Sequence, residues 1–363
     1  MAPKTRAPRL VIIDGHSIIH RSFHAMKQLA EPLRVRATGE LVGAPFGFAN
    51  TFLAMFGELE PTHVIVALDK GAVTFRNEIS ESYKATRVPM PDEEREEFNR
   101  QMERCRQLIE TFGIPIVEKE NYEADDLMGT LATQAAEQGV ETYLVSMDSD
   151  IAQLVREGVR LWMYRPYQRD SVIYNTADDV KERYLVYPNQ MTDLKALKGD
   201  TSDNIAGIPG VGDKTAAKLI EQFGSVEEML DHTGDIKSAK QQALIAEHAD
   251  QLHQSKLLAT IVCDVPDITL DLEAADFYAH YDPARVGDLF RELEFRTLVT
   301  RLPEKEGAAA PAADAEPLGE QKFSVVRDEK ALDRVVKAIR KQKSFVLDLE
   351  TNTREPMTAN IAG

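Results

Sequence analysis

The chain has 363 residues, enough for two domains or for one large domain with an appendage, and its 43% hydrophobic content supplies a core. A formal net charge of −17 with a pI near 5.0 argues against holding nucleic acid through overall basicity, so any such grip must come from local Lys and Arg clusters. Two distant cysteines, Cys105 and Cys263, without Cys or His companions at metal spacing, argue against a thiolate metal site, and the absence of a leader or of a run of about eighteen apolar residues predicts a soluble, cytoplasmic chain with no membrane partner.

In chain order, Leu10-Val-Ile-Ile13, Val64-Ile-Val-Ala-Leu68, Gly113-Ile-Pro-Ile-Val117 and Thr142-Tyr-Leu-Val-Ser146 are apolar runs of strand length. Helical patterns, such as those over 46–59 and 124–138, separate them. This alternation over the first 165 residues predicts an α/β fold with a mostly parallel sheet and helices on both faces. Acids stand at the carboxyl ends of three runs, at Asp14, Asp69 and Asp148, and in open α/β sheets that edge binds ligands. Glu123-Ala-Asp-Asp126 opens a helix, where capping explains one carboxylate and not three. His16, after Asp14-Gly15, reads as a helix-start residue, and Thr176 with Asp178 and Asp179 as an ordinary helix start. The segment from Asp69 to Glu94 lacks a strand signal, and Asp92-Glu-Glu-Arg-Glu-Glu97 reads as a solvated helix start.

From Val186 the strand signals fade and helices dominate to Leu302, which predicts a helical subdomain. Near its start, Asp200 and Asp203 are three apart and would share a side on a helical turn. Gly210-Val-Gly212 leaves backbone N–H groups free for an anion where a helix opens near Asp213. Residues 303–321, rich in Ala, Pro and Glu, predict a flexible linker. Residues 322–363 then offer a strand, a helix over 329–341 and the strand Phe345-Val-Leu-Asp-Leu-Glu350, too little to fold alone and so the incomplete start of another domain.

Nine acids fall toward one edge: Asp14, Asp69, Glu123, Asp125, Asp126, Asp148, Asp150, Asp200 and Asp203. Like charges that close repel and raise one another's pKa, and divalent cations relieve the repulsion. Oxygen-only donors favour Mg²⁺ or Mn²⁺ over zinc. Two such ions about 4 Å apart activate a water and stabilise the leaving oxygen of a phosphodiester.

Ile12-Ile-Asp-Gly15, Ala67-Leu-Asp-Lys-Gly71, Thr74-Phe-Arg76, Tyr83-Lys84 with Arg87 and Pro89-Met-Pro91, Glu123-Ala-Asp-Asp-Leu127, Asp148-Ser-Asp-Ile-Ala-Gln-Leu154 and Gly199-Asp-Thr-Ser-Asp-Asn204 follow one another in order. With them, residues 9–300 resemble the 5′-nuclease domain of bacterial DNA polymerase I, which belongs with the flap endonucleases. The resemblance implies a PIN/5′-nuclease-like core over 1–185 with an arch at about 70–95, and a helix-hairpin-helix element within the helical subdomain 186–302. It implies a structure-specific 5′-3′ exonuclease and flap endonuclease of DNA replication and repair. Asp14, Asp69, Glu123, Asp125 and Asp126 would surround a first Mg²⁺, and Asp148, Asp150, Asp200 and Asp203 a second, with Mn²⁺ able to substitute. Arg76, Tyr83, Lys84 and Arg87 would be catalytic, Lys84 and Arg87 near the scissile phosphate and Tyr83 stacked on a base. Gly207, Gly210, Val211, Gly212, Lys214 and Thr215 would grip duplex backbone, with K⁺ on the turn's carbonyls. The implied partners are DNA with 5′ flaps, nicks or RNA primers, bound by a monomer at the bacterial nucleoid.

Two departures stand out: Met147 and Ser149 replace a Gly and a basic residue usual in the family, so the second ion site is expected to differ in shape or affinity. Phe345-Val-Leu-Asp-Leu-Glu-Thr351 resembles the first motif of a 3′-5′ proofreading domain, with Asp348 and Glu350 on one side of a strand, but later acids are missing and the segment is expected to be inactive alone. Two rival readings stay open at this stage. A non-catalytic DNA-binding module would keep Lys214 and the turn without needing nine acids, and a small-molecule phosphatase would use Asp148 and Asp150 as a nucleophile pair but leave the turn unexplained.

Overall fold

The computed structural model describes residues 7–27, 31–165, 170–305, 326 and 328–341. Strand β1 (Arg9–Asp14) runs straight into helix α1 (Gly15–Lys27), and α2 (Gly43–Leu59) leads to β2 (His63–Ala67). After β2 come β3 (Lys70–Thr74), α3 (Phe75–Ile79), α4 (Asp92–Thr111), β4 (Ile116–Val117), β5 (Glu120–Asn121), α5 (Ala124–Glu137), β6 (Glu141–Val145), β7 (Val159–Arg165) and β8 (Asp170–Tyr174). The main sheet has the order β4-β2-β1-β6-β7-β8, parallel throughout except for the antiparallel edge strand β8.

Both faces of this sheet are covered, and strand alternation decides what covers them. Leu10, Ile12, Ile65 and Leu144 face Leu127, Met128 and Leu131 of α5. Val11, Ile13, Val64, Val66 and Val145 face the opposite core, built from α1, α2 and α4. In α2 the Phe52 and Phe56 rings pack 4.7 Å from Phe112 and 4.6 Å from Phe277. Helix α4 continues the acidic start at Asp92 for 20 residues because Phe98, Gln101, Cys105, Leu108 and Ile109 form a buried stripe at helical spacing.

The helical part comprises α6 (Ala177–Tyr184), α7 (Met191–Lys198), α8 (Asp213–Phe223), α9 (Val226–Asp231), α10 (Ala239–Glu247) and α11 (Ala249–Ala259). Thr176 caps α6 with Asp179 in a capping box, as the sequence indicates for that start. From Ile261 the chain runs back along α5: Val262 N–H donates to Asp126, Val265 N–H to Thr130 and Leu270 N–H to Gln134. Then α12 (Leu272–Ala275), α13 (Phe277–His280), α14 (Pro283–Glu292) and α15 (Arg296–Val299) close the unit.

Two expectations need correction. The 70–95 segment does carry a strand, since β3 pairs with β5 in a separate two-stranded sheet, and α3 follows it. The helices after β8 pack on the sheet as a helical subdomain is expected to: the described residues up to 305 belong to one compact unit, and Phe277, Tyr281, Phe290 and Phe295 join the core beside α2 and α4. Asp200 and Asp203 sit on a turn closed by the Asp200–Ile205 bridge rather than on a helix, so they point to different partners. In the second unit, helix α16 (Glu329–Ile339) is described; most of the 303–321 linker and the Asp348/Glu350 strand lie outside the described residues.

Gly113 links α4 to β4 at φ +74°, and a Cβ there would lie 2.6 Å from the His280 carbonyl oxygen. Gly113→Ala should therefore destabilise the protein by about 1–3 kcal/mol through backbone strain, before any clash is counted. Urea unfolding measures this; an unchanged midpoint would contradict the packing of α13 on that turn.

Candidate active site

Parallel strands in register deliver acids to one edge. Asp14 ends β1 opposite Ala67, and Ile13 lies opposite Val145, so Asp69 and Asp148 emerge just beyond the same edge. Gly15 follows Asp14 because a Cβ would lie 2.6 Å from Val66 Cγ1. Asp14 is buried; its carboxylate accepts from Ser17 N–H at 2.9 Å and Ser146 Oγ at 2.7 Å. Burial pushes its pKa up against those two donors. The Ser146 hydroxyl also accepts from Asp148 N–H at 3.0 Å, joining the two strand ends. Asp69 accepts from Ala124 N–H at 2.7 Å, which ties β2 to the start of α5, and lies 3.8 Å from His16 Nδ1.

Asp125, in the first turn of α5, faces this group. Burial, then the charges of Asp14, Asp148, Glu123 and Asp150, raise its pKa well above the ordinary carboxylate range. It makes no hydrogen bond or ion pair among the described residues. Beside it, Lys195 of α7 is buried and bridges two acids, touching Asp150 Oδ1 and lying 2.5 Å from Asp200 Oδ2. Burial and Asp148 raise Asp150 to about 7 despite that ammonium, and its Oδ1 is buried without a well-aligned hydrogen bond. Asp200 is lowered: burial opposes the shift, but Lys195 and the Ser202 donors outweigh it.

A third cluster flanks the edge. Lys84 Nζ lies 2.8 Å from Glu123 Oε1, Arg87 Nη2 lies 2.8 Å from Asp203 Oδ1, and Tyr83 OH donates to Asp203 at 3.1 Å and to Glu123 at 3.3 Å. Lys84 adopts a left-handed backbone (φ 56°), and its N–H donates to the Asp203 carbonyl at 2.9 Å, which docks the 80–87 turns on the 200–205 turn.

The structure brings Asp14, Asp69, Glu123, Asp125, Asp148, Asp150, Asp200 and Asp203 to this region, and Lys84 and Arg87 to its rim. Four expected roles do not hold. Asp126 is fully buried and both its oxygens are used: a bidentate pair with Arg76 at 2.8 Å each, plus the N–H groups of Glu123 and Val262. Arg76 is equally buried and also donates to the carbonyls of Leu258 and Thr260, so this pair fastens α3, α5 and the α11 exit and is not catalytic. Tyr83 packs against Ile205, Leu258 and Ala259 with 4% of its surface exposed, which leaves no ring face for a base. Asp203 joins the Lys84/Arg87 cluster and not Asp148, Asp150 and Asp200. His16 opens α1 as expected, stacked with His20.

As the side chains stand, no three His, Cys, Asp or Glu residues among the described residues cage an ion by themselves. Several of the carboxylate oxygens instead accept from Ser17, Ser146, Lys195, Lys84 and Arg87. An all-oxygen set with an unpartnered Asp125 at its centre nevertheless fits a hard divalent cation that keeps part of its water shell. Sequence reasoning missed Lys195, Ser146 and Ser17. The available signal for Lys195 was a lysine within the apolar run Leu194-Lys-Ala-Leu197, five residues before Asp200.

At the glycine-rich turn, Gly212 is the N-cap of α8 and Gly210 has φ +81°, so the turn does open that helix. Lys214 is exposed and Thr215 partly so. Val211 is instead a core residue, and Gly207 is required because a Cβ would lie 2.2 Å from the Lys198 carbonyl carbon. Neither offers a side chain to a ligand.

The 5′-3′ exonuclease N-terminal resolvase-like domain matches residues 9–185, and the 5′-3′ exonuclease C-terminal SAM fold matches residues 186–282. DNA polymerase I of Chloroflexus aurantiacus is 38% identical over 387 aligned residues, covering 98% of this chain, and that of Bacillus subtilis is 38% identical over 305, covering 84%. The chain spans 40% and 33% of those relatives' lengths. A crystal structure of a bacteriophage T5 flap endonuclease, in a pseudo-enzyme–product complex with DNA and metal ions, shares the fold at 21% identity and a TM-score of 0.58, over 79% of this chain and 99% of that one. With both domain types matched end to end across residues 9–282, this chain belongs to the 5′-3′ exonuclease family.

Proposed function

We propose that the chain is a divalent-metal-dependent nuclease that hydrolyses phosphodiesters at 5′ flaps and 5′ ends of DNA, RNA primers included. The observation that carries this reading is the convergence of Asp14, Asp125, Asp148 and Asp150 in mutual repulsion, with Lys84 and Arg87 on the rim. Mg²⁺ is the proposed natural ion, with Mn²⁺ as a substitute, K⁺ at the Gly207–Gly212 turn, and a monomer acting on nucleoid DNA in the cytoplasm. Asp14, Asp69, Asp125 and Asp148 would hold one ion and Asp150 and Asp200 a second. Bound there, the ions would supply an activated water and charge stabilisation at the leaving oxygen.

The chain's own residues divide the remaining work. Serines 17 and 146 orient Asp14, and the Ala124 N–H orients Asp69, so these carboxylates are held in place before an ion arrives. Lys84 and Arg87 are paired with Glu123 and Asp203 but partly exposed, and an incoming phosphodiester competes for them as an anion of the same sign. The N–H groups opening α8, with Lys214, hold duplex backbone without reading sequence. A phosphatase nucleophile at Asp150 fits poorly, because that carboxylate is covered by Lys195.

With Mg²⁺, the wild type should cut a 5′-labelled double-flap DNA at the flap base and leave a single-stranded control nearly intact; EDTA should abolish cutting. Asp148→Ala should lower the rate at least about a hundredfold, the upper end of what losing even an outer-shell partner costs. Binding without cutting under Mg²⁺ or Mn²⁺ would point to the DNA-binding module instead. Arg87→Ala should slow cleavage while changing stability by no more than about 1 kcal/mol, as expected for an exposed pair. Arg76→Ala should cost about 3–5 kcal/mol by stranding the buried Asp126. Chemical unfolding alongside cleavage assays separates the two, and equal stability losses would contradict the division of roles.

A further inference from the structure

A basic groove runs beside α8 and is not explained by the acidic edge or by the turn alone. Two adjoining hollows, of about 660 and 530 Å³, meet at Leu185 and Lys214. The first begins at Gly212–Thr215, where α8 opens, and is walled by Arg183 and Lys198. The second continues along α8 to Gly224 and is walled by Lys181 and Lys218. Five cations thus line the groove, against the acids Asp213 and Glu221, in a chain whose net charge is −17. Asp213 is already neutralised by Lys198 at 2.7 Å.

The state of the other cations is informative. Lys181, Arg183, Lys214 and Lys218 are exposed and make no ion pair among the described residues. Lys181 Nζ lies 4.2 Å over the Tyr187 ring, and Arg183 lies 5.3 Å over Tyr184, so both are positioned by aromatic faces without being neutralised. The floor between them is apolar: Leu185, held left-handed at φ 70° as the C-cap of α6, is 47% exposed, and Tyr187 is 37% exposed.

We propose that this groove is a second nucleic-acid contact, which takes the sugar-phosphate backbone of the duplex as it leaves the turn at the start of α8. The proposal rests on the nuclease reading above and extends its substrate to include duplex beyond the turn. Phosphates fit the unpaired cations, and deoxyribose faces fit the Leu185/Tyr187 floor. The 11 residues of α8 span about 16 Å at about 1.5 Å each, which equals roughly five nucleotides at about 3.4 Å per step along one strand. Neutral or anionic small molecules lack that repeat of charge and would gain little from cations spread over such a length.

The test is DNA binding in EDTA by the full chain and by a Lys181→Ala/Arg183→Ala/Lys218→Ala variant, as a function of salt. One flap substrate carries a long duplex and the other a duplex shortened by about five base pairs at the end away from the flap, so that it stops at the turn. All three side chains are exposed, so melting temperature should be unchanged and reports intact folding. On the long duplex the variant should bind about tenfold or more weakly, and its slope of log affinity against log salt should fall by about 2–3, at about 0.9 per lost phosphate contact. On the shortened duplex the two proteins should bind alike. Equal affinity and slope on the long duplex would overturn the groove assignment while leaving the nuclease reading standing. A wild type that neither binds nor cuts flap DNA would overturn both.

Discussion

Repulsion among carboxylates at the carboxyl edge of the sheet is the constraint on which this site depends. Parallel strands in register carry Asp14, Asp69 and Asp148 to that edge, and α5 adds Asp125 into their midst. Such a concentration of charge is unfavourable in a partly dehydrated cleft. The protein offsets it in two ways. Neutral donors such as Ser17, Ser146 and the Ala124 N–H hold individual carboxylates, and Lys195 is placed between Asp150 and Asp200. Asp125 receives neither kind of help, and it is there that a divalent cation would have most to stabilise.

Residues of one motif divide between building the site and serving it. Arg76 and Arg87 are eleven positions apart and both pair with an aspartate, yet burial separates their roles. Arg76 and Asp126 are sealed from water and tie α3 to α5 and to the carbonyls of Leu258 and Thr260 at the end of α11. A buried pair of this kind is costly to break and poorly placed to meet a ligand. Arg87 is largely exposed, so its pair with Asp203 adds little to stability and leaves the guanidinium open to solvent. Tyr83 falls on the structural side, since its phenol bridges Glu123 and Asp203 from within the core.

Much of this was legible in the sequence. The buried strands β1, β2 and β6 are continuous apolar runs, and the register of the parallel strands brings their trailing acids to one edge, as their positions in the sequence indicate. Strands β7 and β8 were missed because neither is a continuous apolar run: β7 carries Arg160, Tyr164 and Arg165, and the edge strand β8 opens on Asp170 and Ser171. β3 was missed because it is a short, partly exposed strand paired in a sheet of its own. Spacing arguments failed where local geometry was assumed: Asp200 and Asp203 share a turn and not a helix, so their carboxylates diverge. The fate of Arg76, Tyr83 and Asp126 depends on contacts with Leu258, Thr260 and Val262, which lie more than a hundred residues away in sequence.

The most direct measurement of the central claim is thermal unfolding of the wild type and Asp125→Asn, each in EDTA and in Mg²⁺. If repulsion around Asp125 is what the ion relieves, the amide variant melts higher than the wild type in EDTA, and Mg²⁺ raises its melting temperature by less than it raises that of the wild type. An amide variant no more stable than the wild type in EDTA, with an undiminished response to Mg²⁺, would contradict the account.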